Sequence, residues 1–177
     1  MATILAFAGS NSSTSINFQL VKYTSDLIKQ KDVQLMDLSG FPVPIYSADG
    51  ENANGFPEDV VALQKDIKKA AGLIISVNEH NSGPSAYFKN LMDWLSRVDK
   101  RFLEDKKLFL MATSPGRRGG ISSLTYVMDT LPRFGGEIIS TFSLPSFNDN
   151  FDTEKGILDE ELNNGHQVAL EDFLKTL

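Results

Sequence analysis

The chain contains no cysteine, and that single absence removes disulfide bonds, thiolate nucleophiles and sulfur-ligated metals together. Histidine is nearly as scarce. The two present, His80 and His166, lie 86 positions apart with no local ligand spacing, so a zinc or iron site has little to build on. Basic charge is also in deficit: 17 Lys and Arg stand against 23 Asp and Glu, a net charge of −6, which argues against a general nucleic-acid binder. Basic pairs occur at Lys68 and Lys69, Lys100 and Arg101, Lys106 and Lys107, and Arg117 and Arg118, but acidic residues are interspersed among most of them. No apolar run approaches the roughly 20 residues a membrane span needs. The opening MATILAFAGS has no basic leader and reads as a first strand, not a signal peptide. With no address on the chain, a cytoplasmic location is expected.

What is there fits one compact domain spanning 1–177. Hydrophobic residues make up 41% and charged residues 23%, without any low-complexity tract. Short apolar runs alternate with segments of helical period. The strand candidates are 3–8, 33–38, 73–77, 108–113 and 138–144, and three of them are apolar on both faces, as a sheet covered on both sides requires. Between them run helical stripes: Ile16, Leu20, Tyr23 and Leu27; Val60, Leu63, Ile67 and Ala70; Phe88, Leu91, Met92, Leu95 and Val98; Ile121, Leu124, Val127, Met128 and Leu131; and Leu170, Phe173, Leu174 and Leu177. Asn163, Asn164 and Gly165 are placed to split the last helix. Five strands alternating with five helices predict a doubly wound α/β fold, and at this size a flavodoxin-like five-stranded parallel sheet of order 2-1-3-4-5 with helices on both faces. One long irregular connection, 39–57, reads as a functional loop.

In that order the loops leaving the first, third and fourth strands meet at the switch point where ligands of such sheets bind. They are GSNSSTSIN (9–17), NEHNSGPSA (78–86) and TSPGRRGGIS (113–122). The first leads into the amino end of a helix, where unpaired amides and the dipole attract an anion, and Ser10, Ser12, Ser13, Thr14, Ser15 and Asn17 add neutral donors. There is no G-x-G-x-x-G and no G-x-x-x-x-G-K-[ST], so a phosphate monoester held by amides and hydroxyls is the ligand that remains; simple helix capping is the alternative. Glu79 and His80 could form an acid–base pair, but adjacent side chains at a strand exit point apart, and Glu79 bonding solvent or backbone amides is preferred. ATSPG (112–116) nearly matches a nucleophile elbow, with Asp149 and His166 following in order. The residue after Ser114 is Pro115, which has no N–H for an oxyanion hole, so a serine hydrolase is discounted. Gly116, Gly119 and Gly120 suit close backbone approach to a flat ligand.

These residues resemble the NAD(P)H-dependent FMN reductases, a flavodoxin-like group that includes azoreductases, quinone reductases and chromate reductases. The first loop resembles G-S-x-R-x-x-S-x-N at Gly9, Ser10, Ser15 and Asn17. The second resembles P-E-Y-N-x-S-x-P-x-x-L-K-N-x-x-D-W, matched without a gap by NEHNSGPSAYFKNLMDW (78–94) at Glu79, Asn81, Lys89, Asn90, Asp93 and Trp94. TSPGRRGG resembles the glycine-rich third loop. The resemblance implies FMN as cofactor and NADPH or NADH as co-substrate. It places Ser10, Ser15 and Asn17 at the flavin phosphate and Glu79, His80 and Asn81 at the ring, largely through backbone, with Ser12, Ile16 and Asn78 also among the cofactor-binding residues. Ser114, Pro115, Gly116, Gly119 and Gly120 would close the ring's other side. Lys89, Asn90, Asp93 and Trp94 would brace the loop or a subunit contact. It further implies a small-molecule acceptor (a quinone, azo compound, free flavin or similar), a homodimer or homotetramer, no nucleic-acid or membrane partner, and no catalytic acid or base, since the chemistry belongs to the flavin. Ser12 stands where the pattern has arginine, Asn78 where it has proline and His80 where it has tyrosine. The alternative reading is an FMN electron carrier without nicotinamide activity. A flavin-free receiver-like domain would need an acidic cluster after the first strand, and Ala8, Gly9 and Ser10 supply none.

Overall fold

The computed structural model describes residues 3–177. In chain order the elements are β1 (Thr3–Ala8), α1 (Ile16–Leu27), β2 (Asp32–Met36), α2 (Ala48–Asn54), α3 (Glu58–Lys69), β3 (Gly72–Val77), β4 (Glu79–His80), β5 (Gly83–Pro84), α4 (Ala86–Val98), β6 (Lys107–Thr113), α5 (Ile121–Thr130), β7 (Glu137–Leu144), α6 (Phe147–Asn150), β8 (Phe151–Asp152), β9 (Gly156–Ile157) and α7 (Glu160–Lys175). Five strands form one parallel sheet in the order β2-β1-β3-β6-β7. Counting only those five, this is the 2-1-3-4-5 order read from the sequence.

Because side chains alternate across a strand, each central strand feeds two cores. Leu5, Phe7, Leu73, Ile75, Leu108 and Leu110 point to the layer made by α3, α4 and α5. Ile4, Ala6, Ala8, Ile74, Phe109 and Met111 point to the layer made by α1 and α7. Every residue of β3 is buried, as a strand covered on both faces must be.

Several sequence expectations need correction. The connection 39–57 is not wholly irregular, since it holds α2, started by Ser47, whose hydroxyl accepts from the Gly50 amide at 3.0 Å, with Asp49 and Glu51 in the first turn. Asn163, Asn164 and Gly165 do not split the last helix. Asp159 caps α7 through the Leu162 amide at 2.9 Å, Glu160 and Glu161 favour its first turn, and the Tyr23 hydroxyl bonds Asn163. The inward face of α1 is also rotated from the apolar stripe: Asn17, Leu20, Val21, Thr24 and Ser25 are buried, while Leu27 is exposed. Polar groups hold that face because each has an internal partner, and periodicity of apolar residues alone does not register them.

Candidate functional site

The carboxyl ends of β1, β3 and β6 are drawn together by one side chain. Asn17, only 2% exposed, accepts from the Ser76 hydroxyl at 2.7 Å and from the Thr113 amide at 3.1 Å, and donates to the Thr113 carbonyl at 3.1 Å. Its carboxamide thus pairs with both backbone groups of Thr113 as a neighbouring strand would, and ties α1 to the ends of β3 and β6. Asn17 is therefore a brace of the site in this structure, with its oxygen fully engaged inside the protein.

The first loop leaves β1 at Gly9, where a Cβ would stand 2.5 Å from the Phe88 ring, so only glycine lets β1 and α4 approach this closely. Ser85, the cap of α4, donates to the Gly9 carbonyl at 3.0 Å and fixes the same junction. Beyond it the hydroxyls pair among themselves: Ser10 accepts from the Ser12 amide at 3.2 Å, and the Ser12 hydroxyl accepts from the Thr14 amide at 3.3 Å while meeting the Thr14 hydroxyl at 3.2 Å. Ser15 caps α1 by accepting from Phe18 N at 3.2 Å. The amides of Ile16 and Asn17 in that first turn have no carbonyl one turn back to bond, and both residues border the cleft.

The second loop is a hairpin, β4 with β5, turned through Asn81 (φ 52°) and Ser82 (φ 64°). Two consecutive left-handed residues are the signature of a tight two-residue hairpin turn, and asparagine tolerates that region best among residues with a side chain. The preferred reading of Glu79 holds: its carboxylate accepts from the amides of Ser122 (2.8 Å) and Ser123 (3.1 Å). It caps α5, whose own N-cap, Gly120, has no side chain to offer. The Ser123 hydroxyl donates to the Asn78 carbonyl at 2.9 Å, and the Asn78 amide nitrogen meets His80 Nε2 at 3.2 Å, leaving Asn78 Oδ1 buried without a partner.

Together these loops wall an open cleft of about 230 Å³. Ser10, Ser12, Ser15, Ile16, Asn17, Asn78, Glu79, His80, Ser114 and Pro115 all border it, and so do Thr14, read from the sequence as a neutral donor of the first loop, and Thr113, which the sequence did not single out. Thr113 was findable as the last residue of a strand ending at the switch point. Four expected residues lie off the wall. Asn81 is at the exposed hairpin tip and Gly116 is on the exposed outside of the third loop. Gly119 (φ 59°) and Gly120 (φ 77°) are buried beneath it, where a Cβ at Gly119 would stand 2.4 Å from the Ser143 hydroxyl. Their glycine character serves the turn and its packing on β7. His166 is far from a triad: it lies fully buried in the α1/α7 layer against Thr24.

The long connection is held by a stripe on α4. Tyr87 donates to the Phe41 carbonyl (2.9 Å). Asn90 accepts from Tyr46 N (2.8 Å) and donates to the Pro44 carbonyl (2.9 Å), which also accepts from Trp94 Nε1 (2.7 Å), and Arg97 forks onto Glu51. Phe41 and Pro44 border a groove of about 710 Å³ with Asn11 and Tyr87, while Tyr46 turns its ring edge onto Trp94. Lys89 and Asp93 pair with each other on the exposed side of the helix.

The donor set suits FMN. Serine and threonine residues and the amino end of α1 border the cleft, the one carboxylate of the wall is turned onto α5, and an unsatisfied buried acceptor sits at Asn78. A sequence model of the NADPH-dependent FMN reductase family matches residues 2–149. The chain belongs to that family. Among curated relatives of this FMN reductase homologue, the quinone reductase of Escherichia coli (strain K12) is 35% identical over 89 residues, 48% of this chain and 47% of that protein. The NADPH:quinone oxidoreductase of Arabidopsis thaliana is 30% identical over 123 residues, 67% of this chain and 61% of that protein. The matched segment thus spans about half the length of the bacterial relative. In fold, the chain is similar to a flavoenzyme NAD(P)H:(acceptor) oxidoreductase from Paracoccus denitrificans, with a TM-score of 0.78 at 21% identity, covering 99% of this chain and 98% of that one. An azoreductase from Bacillus anthracis gives 0.65 at 17% identity, covering 99% and 100%.

Proposed function

We propose that this FMN reductase family member oxidises NADPH or NADH and passes the electrons, by way of FMN in the cleft, to a small organic acceptor such as a quinone, an azo compound or a free flavin. The observation that carries the reading is the convergence of three polar loops at the β1/β3/β6 edge, whose cleft-bordering residues are donor-rich and include one carboxylate, Glu79, committed to α5. FMN supplies the two-electron chemistry. The chain supplies placement. Ser10, Ser12, Ser15 and the first amides of α1 receive the phosphate; Asn17 holds the strand ends in register beneath them. Asn78 and His80 on one side and Ser114 and Pro115 on the other border the ring. No side chain is assigned as a proton donor or acceptor.

The test is an anaerobic titration of protein supplemented with FMN. The flavin absorbance should bleach on adding NADPH or NADH and return with a quinone. Flavin that binds but stays oxidised in both would make the chain an electron carrier instead. Arg117 and Arg118, exposed on the third loop, are proposed to meet the extra phosphate of NADPH, so replacing both by Ala should lower the preference for NADPH over NADH; an unchanged ratio discards that role. Association of copies as a homodimer or homotetramer is also proposed. It is supported by the uncharged run 39–47, where Ile45 is 79% exposed, and is read out by light scattering.

A further inference from the structure

We infer that Ser146, which does not itself border the cleft, is the positioning residue for the cleft's third wall, an inference that rests on the flavin reading of that cleft. Ser146 takes φ 45° and ψ 57°, in the left-handed region, where a residue other than glycine or asparagine is uncommon. Asn81 and Ser82 need that region to close the β4–β5 hairpin, but Ser146 closes no hairpin. Its conformation instead turns two consecutive amides the same way. Ser146 N donates to the Gly116 carbonyl at 2.9 Å, and Phe147 N donates to the Ser114 carbonyl at 3.0 Å. The segment is bonded to the third loop at two further points: the Thr113 hydroxyl donates to the Leu144 carbonyl at 2.8 Å, and the Ser143 hydroxyl donates to the Gly119 carbonyl at 3.0 Å. The third loop is thus fastened along its length, from 113 to 119, onto 143–147. An apolar anchor holds that segment in turn, since Phe147 is 5% exposed in the α1/α7 layer and stacks on Phe151 with ring centroids 4.7 Å apart. Asn150 adds a bond from its side-chain nitrogen to the Pro145 carbonyl at 2.9 Å.

The consequence falls on Ser114 and Pro115, the two residues that bring this loop to the cleft beyond the end of β6. The peptide joining them has no N–H, because its nitrogen belongs to proline, and its one polar group, the Ser114 carbonyl, is taken by Phe147 N. The Ser114 hydroxyl meets the Gly116 carbonyl at 3.3 Å. What this stretch has left for a bound ring is the apolar body of Pro115. Were residue 146 to leave the left-handed region, its amide and that of Phe147 would diverge, the Ser114 carbonyl would lose its partner, and the peptide carrying Pro115 would be free to turn. A strained conformation persists only where its surroundings over-determine it, and here those surroundings are the wall of the candidate site.

The experiment reads the ring end of the flavin directly, in the full chain, by fluorescence titration and by the visible circular dichroism of bound FMN. Ser146→Val, whose branched side chain is among the least tolerant of the left-handed region, should weaken FMN and riboflavin by the same factor, about 10-fold, the scale of one lost hydrogen bond, and should alter the spectrum. Ser146→Gly adopts that region freely and should keep the wild-type affinities and spectrum. Asn150→Ala loosens the same segment at Pro145 and is the arm that decides should Ser146→Val fold poorly; it should weaken both flavins, and unchanged affinities in it would then overturn the inference. A folded Ser146→Val protein with a lower denaturant midpoint but wild-type affinities and spectrum overturns the inference and leaves the oxidoreductase reading intact. So does a loss confined to FMN, which would place the effect at the phosphate, and so does a Ser146→Gly protein that loses as much as Ser146→Val. Wild-type protein that binds neither flavin, at any concentration tried, overturns both.

Discussion

At the scale of single residues, the most informative side chain is one the candidate site does not use. His166 is fully buried, 0% exposed, among Tyr23, Phe109 and Phe142. The Thr24 hydroxyl gives its proton to the Leu20 carbonyl at 2.8 Å, so the 2.8 Å contact with His166 is a bond donated by Nε2–H. Nδ1 is then a bare lone pair with no partner. Protonating it would place a cation in an apolar layer, and burial accordingly pushes the pKa down to about 4 from 6.5. The sign follows. Above pH 6.5 both folded and unfolded chains carry a neutral imidazole, and the full stability is present. As the pH falls from 6.5 towards 4 the unfolded chain takes up a proton that the folded one refuses, and stability is lost, by about 3 kcal/mol at roughly 1.4 kcal/mol per unit. Chemical denaturation at pH 7.5 and pH 4.5 should therefore show a smaller loss for His166→Leu than for wild type; equal losses would mean that acidic stability is set by carboxylates alone. None of this was visible in the sequence, where His166 looked like a possible triad member only because it follows Asp149. Linear order says nothing about which core layer a helical residue enters.

At the scale of elements, legibility depended on which signal an element uses. β1, β3 and β6 were found within a residue because they are apolar and continuous, β7 because its Ile, Phe and Leu still mark a β-rich run broken by Ser and Thr, and α3 and α4 because their buried residues are nearly all apolar. The two short hairpins β4–β5 and β8–β9 were missed: two-residue strands carry no period, and their turns rest on backbone angles at Asn81, Ser82 and Gly156. The Lys-Asn-x-x-Asp-Trp run was legible as a motif, but its work appears only in the fold. Asn90 and Trp94 lie four residues apart on one face of α4 and converge on the Pro44 carbonyl. They hold the segment before α2 that would otherwise have few internal bonds. Asn90→Ala removes the acceptor for Tyr46 N and a donor to Pro44. It should cost about 1–3 kcal/mol, and should expose 39–57 to limited proteolysis well before the rest of the chain opens. A cleavage rate equal to wild type would show that Trp94 and Tyr87 suffice to hold the segment.

At the scale of the whole molecule, the candidate site and the fold draw on different parts of the chain. Every residue bordering the cleft lies between Ser10 and Pro115, and the family match ends at 149, yet the second core layer is closed by α7. That helix buries His166, Ala169, Leu170 and Phe173, a spacing of three, one and three that lays one stripe across β6 and β7. Phe173 is among the largest fully buried side chains, and its ring fills the space over Gly72, where a Cβ would stand 2.8 Å from it. Gly72 pairs with both Ile4 and Lys107, so the aromatic ring of the last helix sits against the entry of the strand whose exit carries Asn78 and Glu79. Truncating it leaves a cavity that the α1 side cannot collapse into without moving β3. Phe173→Ala should therefore cost about 3–5 kcal/mol, read as a lower denaturant midpoint. FMN affinity should stay near wild type under conditions where the variant remains folded, because no bordering residue has moved. A midpoint within experimental error of wild type would instead make α7 an appendage to a sheet already stable without it.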